Sequence, residues 1–223
     1  MPANLLPGTC ILAALTTPGL AAAASGDMKD SIIVTATRIP TPSSRIGSSV
    51  SVITAADIAN HQYRSATEAL QSIPSLSVIR NGGPGKLTSI FSRGTNANHT
   101  LVLIDGIEIN DPSNTDGRVD LSHLYIGDVE RIEVLHGPQG TLFGRNATSG
   151  VVNVVTAKPD LSGFGAAAEF EYGNFDSIRA KGMVNVPIGD SIGVRVAGYY
   201  LNRDGYTENL YDGSNIDGRD MYA

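Results

Sequence analysis

Between residues 165 and 202 the chain alternates between apolar and polar positions. Ala166, Ala168, Phe170 and Tyr172 share one parity, and Glu169 and Glu171 the other. Ile178, Ala180, Val184 and Val186 then oppose Arg179, Lys181 and Asn185, and Ile192, Val194, Val196 and Tyr200 oppose Arg195. A period of two sends successive side chains to opposite faces of a strand. The stretch therefore predicts three antiparallel strands, each with one greasy and one charged face. Strand lengths near the ~9–11 residues of a membrane-crossing strand fit the wall of a transmembrane β-barrel. Acidic residues on the first polar face and basic ones on the next two predict favourable cross-strand pairs. Residues 187–190 read as a short turn, and 203–219, rich in Asp, Asn and Gly, as a long loop. Three strands in lipid would leave unpaired backbone groups along an open edge, so closure demands more strands than these. A truncated barrel is the expectation.

Upstream the periodicity changes. Residues 50–53 read as a strand, and Thr54 is placed to cap a helix through Asp57, running to about Asn60. Ala66, Ala69, Leu70 and Ile73 mark one face of a second short helix over 66–73, ended before Pro74. Residues 76–79 are extended, and 81–85 (Asn-Gly-Gly-Pro-Gly) form a loop. Further strands are expected at 90–91, 101–104, 107–109, 129–135 and 151–155. The run 101–104 is apolar on both faces and so central. Short strands with small helices predict a mixed α+β domain of about 110 residues.

The N-terminal 24 residues carry a short apolar core and the small-residue run Ala21–Ala24, the pattern of an export signal cleaved near Ala24. They depart from that pattern in having no Lys or Arg before Lys29. Residues 30–36 are β-prone, and Pro40 and Pro42 beyond them favour an exposed, extended tether. Such a segment can add itself to the edge of another protein's sheet. It can equally be an edge strand of the following domain.

Composition narrows the chemistry. Cys10 is the single cysteine of the 223 residues, so neither an intramolecular disulfide nor a Cys-based zinc site can form. A net charge of −6 argues against nucleic acid as a partner. His61, His99, His123 and His136 are scattered, and 140–144 lacks the Lys-Ser/Thr of a phosphate loop. No catalytic set is visible, and no enzyme is expected.

Five segments then occur in a telling order: Phe91-Ser92-Arg93-Gly94, Leu103-Ile104-Asp105-Gly106, Val129-Glu130-Arg131-Ile132-Glu133-Val134, Gly137-Pro138 and the run 150–156. Together they resemble the plug of TonB-dependent outer-membrane receptors, and 32–36 (Ile-Ile-Val-Thr-Ala) resembles the TonB box. The stretches 81–98 and 101–110 are most similar to the vitamin B12 receptor group, and 140–156 looks equally like ferric-siderophore receptors. The resemblance implies a signal peptide at 1–24, a TonB box and linker at 25–45, a plug at 46–158, and the first three barrel strands at 159–223. It assigns TonB binding to Asp30, Ser31, Ile32, Ile33, Val34, Thr35 and Ala36, with ExbB and ExbD behind TonB. It points to Asn81, Gly82, Gly83, Lys86, Asn96, Asn98, Asn110, Asp111, Ser113 and Asn114 as contacts for cobalamin or a ferric siderophore. Arg93, Glu130, Arg131 and Glu133 are expected to hold plug to barrel through paired charges. No resident cofactor is implied, although Asp212, Asn215, Asp217 and Asp220 offer hard oxygen ligands suited to Ca²⁺. The implied setting is the outer membrane of a Gram-negative bacterium, with the plug inside a lipid-facing barrel and the TonB box in the periplasm. The other reading is a plug-type binding or signalling module that does not transport.

Overall fold

The computed structural model describes residues 33–222 apart from Pro84, Pro112, Asn114, Tyr125, Tyr206, Ser214 and Asp217. The expected signal peptide and Asp30, Ser31 and Ile32 lie outside the described residues. The described chain opens with β1 (Ile33–Val34) and β2 (Thr41–Pro42), a small antiparallel pair. β3 (Val50–Thr54) leads directly into α1 (Ala55–Asn60) and then α2 (Ala66–Gln71). The antiparallel hairpin β4 (Leu76–Arg80) and β5 (Thr88–Ser92) follows. Next come β6 (Thr100–Ile104), β7 (Ile107–Glu108), β8 (Val129–His136), α3 (Gly140–Phe143) and β9 (Gly150–Thr156).

Local chemistry explains the helices. Thr54 accepts from the Asp57 amide while Asp57 accepts from the Thr54 amide at 2.9 Å, a reciprocal capping box that starts α1. Donation from the Thr54 amide and the Thr54 hydroxyl to Oδ2 holds the Asp57 carboxyl below its usual range. Ser65 caps α2 through the Glu68 amide. α2 stops at Gln71, two residues short of the expected end. The Ser72 and Ile73 amides turn back to Ala69 and Leu70, and Ile73 stays in the core without being helical.

Five strands form one sheet in the order β3-β8-β9-β6-β7, with β6 and β9 parallel and the other neighbours antiparallel. Both faces are covered, which explains the unbroken burial of β9 up to Thr156. On one face Ile132, Val134, Val152, Val154 and Val102 meet the helices and the β4–β5 hairpin. On the other, Leu101, Leu103, Leu135 and Val151 form a second cluster with Val34, Ala36 and Ala147, and Phe143 packs against it. Glu133 and Asn153, opposite one another in register, sit on this second face.

The wall follows: β10 (Gly165–Gly173), β11 (Ser177–Ile188), β12 (Ile192–Arg203), a small β13 (Thr207–Glu208) and β14 (Asn215–Ile216) pair, and β15 (Arg219–Tyr222). The sheet order β10-β11-β12-β15 is antiparallel and open. β15 is a fourth strand beside the three expected. The register pairs Ala180 with Phe170 on one side and Tyr200 on the other, and Val184 with Val196, on an outward apolar face. Phe170 at 70% and Val196 at 63% exposure are left for another medium to cover. The opposite face pairs Glu169 with Lys181 and Glu171 with Arg179, as the charge pattern predicts.

A candidate coupling and ligand site

Residues 34–36 are docked on the sheet, so the exposed tether is confined to Arg38, Ile39 and Pro40 beyond them. Glu133 is fully buried, and its Oε2 accepts from the amides of Thr35 at 2.8 Å and Ala36 at 2.7 Å. Its Oε1 accepts from the Thr35 hydroxyl at 3.1 Å and from Arg131 Nε at 2.8 Å. Asn153 donates to the Thr35 hydroxyl at 3.1 Å. Val34 and Ala36 are entirely buried beside Leu101, Leu103 and Leu135. A buried carboxylate survives only with such saturation, and here the segment's own backbone supplies part of it. Pro42 does not prevent pairing, because among the described residues β1 and β2 form a two-stranded ribbon with no further strand to need the missing donor. Beyond Ala36, the Arg38 guanidinium lies 4.6 Å from the centre of the Phe143 ring.

Phe143 also lines a cavity of about 1070 Å³. The two loops expected to meet a ligand converge there: Asn98 from one, and Asn110, Asp111 and Ser113 from the other. Asn110 corrects its expected role. It is buried, its Oδ1 accepts from the Val102 amide at 2.9 Å, and its Nδ2 donates to Gly117 O at 3.1 Å, so its amide shapes the loop instead of facing a ligand. Asn96 is exposed outside the lining, and Asn114 lies outside the described residues. Asn81, Gly82, Gly83 and Lys86 do not reach the cavity but form the tip of the β4–β5 hairpin, closed by Asn81 N to Leu87 O at 3.0 Å. His99, Glu108, Arg145 and Asn146 also line it, none of them nominated by sequence, and Asp116 joins them from the loop expected to meet a ligand. The Asn146 side chain donates to Glu108 at 2.9 Å. Their signal was the alternation of sheet order: β6 and β9 run parallel, so the chain entering each reaches the same end of the sheet.

Residues 42–151 match the family model described as the TonB-dependent Receptor Plug Domain. This chain carries the plug domain of the TonB-dependent receptors. The fold agrees with solved receptors of low sequence identity. The ferric-catecholate import receptor Fiu of E. coli K12 is 24% identical at a TM-score of 0.62, over 78% of this chain and 24% of its own. The pyoverdine outer membrane receptor FpvA of Pseudomonas aeruginosa PAO1 is 18% identical at a TM-score of 0.69, over 81% and 26%. The alcaligin outer membrane receptor FauA of Bordetella pertussis is 24% identical at a TM-score of 0.62, over 76% and 29%. The chain thus spans about a quarter of the length of the solved receptors it matches.

Among the described residues, which include four wall strands, the ion pairs between plug and wall fall on residues other than Arg93, Glu130, Arg131 and Glu133. Arg195 of β12 grips Asp128 with Nε to Oδ2 and Nη2 to Oδ1, both at 2.6 Å. Arg64 of the plug pairs with Glu171 of β10. Glu130, Arg131 and Glu133 instead bond among themselves and to the N-terminal segment, because their side chains leave the sheet on the face that segment covers. Arg93 is exposed, in a left-handed turn at φ 51°, and makes no ion pair among the described residues. It lies near His136, which is buried with Ser75 at 2.9 Å from Nδ1 and Ser51 at 3.0 Å from Nε2. Burial first and the Arg93 charge second push the His136 ring below its ordinary value. In the long wall loop Asp212, Asn215 and Asp220 are exposed, Asp217 lies outside the described residues, and no three metal-binding side chains are grouped among the described residues.

Proposed function

We propose that this receptor imports a ferric siderophore across an outer membrane, holding its coupling segment on the plug until cargo is bound. The observation that carries the reading is the carboxylate of Glu133, which clasps Thr35 and Ala36 while Phe143 faces the loop cavity on one side and Arg38 on the other. Cargo pressing on the loops and on Phe143 would loosen the Arg38 contact and weaken the clasp. Residues 30–36 then become available as an added strand for TonB, which draws on its ExbB and ExbD motor. The outward apolar face of β10–β12 suits hydrocarbon, and the charged face suits a wet interior around the plug. Siderophores are favoured over cobalamin as cargo because the receptors of like fold are named for ferric-catecholate, pyoverdine and alcaligin. Cobalamin remains the comparison arm.

Ile33→Pro removes a donor from the segment that must pair with TonB. In cells expressing the receptor, Ile33→Pro should abolish accumulation of labelled ferric siderophore while surface binding persists. Undiminished accumulation, or binding lost along with it, overturns the coupling role. Accumulation of radiolabelled cobalamin alone overturns the cargo assignment.

A further inference from the structure

Asn153 places an amide where its neighbours are apolar. It stands on β9 at 1% exposure, on the sheet face that Leu101, Leu103, Leu135 and Val151 cover. A buried amide needs partners at both ends, and here the partners belong to two different segments. Oδ1 accepts from the Gly106 amide at 3.1 Å. Nδ2 donates to the Thr35 hydroxyl at 3.1 Å and lies 3.5 Å from Glu133 Oε2. Gly106 offers a donor and Glu133 offers acceptors, so the amide fits one way round.

The Gly106 end leads to the loop cavity. Gly106 closes the turn from β6 into β7, and beyond it Glu108, Asn110 and Asp111 line the cavity. β7 has two residues, both exposed, and pairs among the described strands with β6 alone. Asp105, before the turn, is fixed more firmly. Its carboxylate accepts from the Thr156 amide at 2.9 Å and from the Thr156 hydroxyl at 2.7 Å. A push on Glu108 or Asn110 therefore swings β7 about Asp105 and displaces the Gly106 amide. An acceptor left unpaired in the core is costly, so Asn153 turns with Gly106. The carboxamide is planar, and the same turn carries Nδ2 away from Thr35. Thr35 then keeps its bonds to Glu133 but loses the brace on its hydroxyl.

We propose that Asn153 is a positioning residue that reports occupancy of the loop cavity to the coupling segment, by way of β7 and the Gly106 amide. The inference rests on the import reading and names the route by which cargo regulates the clasp. The Arg38–Phe143 contact touches the segment beyond Ala36, whereas Asn153 holds Thr35 itself.

The test loads the cavity covalently, so that it needs no knowledge of the cargo. In the full-length receptor Cys10 is replaced by Ser, and Thr115→Cys on the cavity lining is coupled to fluorescein maleimide. Hydrogen exchange then reads the Thr35 and Ala36 amides with and without the label. Labelling should speed their exchange about tenfold, within the usual range of coupling between two sites, and the Gly106 amide should quicken with them. Asn153→Ala should cut that response to less than half. A residue that merely supports the fold would raise exchange alike in both states and leave the ratio unchanged. Thr35→Val removes the same link from its other end and should also cut the response, even where Asn153→Ala fails to assemble. Glu133→Gln, which loosens the clasp without touching Gly106, should raise the basal rate and keep the ratio. No response to the label, or half or more of it surviving in the assembled Asn153 or Thr35 variant, overturns the relay. An Asn153-dependent response in a receptor that accumulates no ferric tris-catecholate, ferric tris-hydroxamate or ferric dicitrate in cells overturns the import reading and leaves the relay standing.

Discussion

Glu133 is the residue on which the N-terminal segment depends. Its replacement by Gln keeps the shape and removes the charge that two amides, a hydroxyl and a guanidinium address. Charge-assisted bonds of this kind are worth about 2 kcal/mol in sum when the pair is buried, which corresponds to roughly thirtyfold in an opening equilibrium. A Val34→Cys reporter, buried in the docked state, should then react with a thiol reagent about thirtyfold faster in a Glu133→Gln background. His136 makes a prediction about pH. Its folded value lies below the ordinary 6.5, so the unfolded chain takes up the proton first. The stability His136 contributes is complete above about 6.5 and is lost as pH falls toward the folded value. Hydrogen exchange of β3 and β8 amides, corrected for intrinsic rates, should lose protection as pH falls below about 6.5, and His136→Asn should flatten that loss.

Elements differ in how openly the sequence displays them. Thr54 and Asp57 announce α1 because a capping box is local, requiring two side chains three residues apart. Thr54→Ala should cost about 1 kcal/mol, seen as a lower denaturation midpoint with an unchanged slope. β10–β12 were legible for a similar reason: period-two alternation declares both the strand and its face, and the Glu169–Lys181 and Glu171–Arg179 pairs fall where the register puts them. The docking of residues 33–42 was not legible. Nothing within residues 30–42 shows that a carboxylate about a hundred positions later accepts from the Thr35 and Ala36 amides. Asn110 misled for the complementary reason: an exposed Asn and one that braces its own loop look alike until the Val102 amide is placed beside it.

At the scale of the molecule, the bidentate Arg195–Asp128 grip ties plug to wall among the described residues. Both side chains are largely shielded, at 16% and 23% exposure. Removing one charge should loosen the plug by about 2 kcal/mol. Asp128→Asn in the receptor should therefore admit a large hydrophilic antibiotic and sensitise cells to it, with surface abundance unchanged. The order of strands carries a mechanical consequence. The segment held by Glu133 continues through β2 into β3, and β3 is the border strand of its sheet, bound among the described residues to β8 alone. Tension applied at the N-terminus thus enters at the margin, with four further strands behind it. The sheet would fray from that border inward, one ladder at a time, opening a passage long before the β9–β6 interior is disturbed.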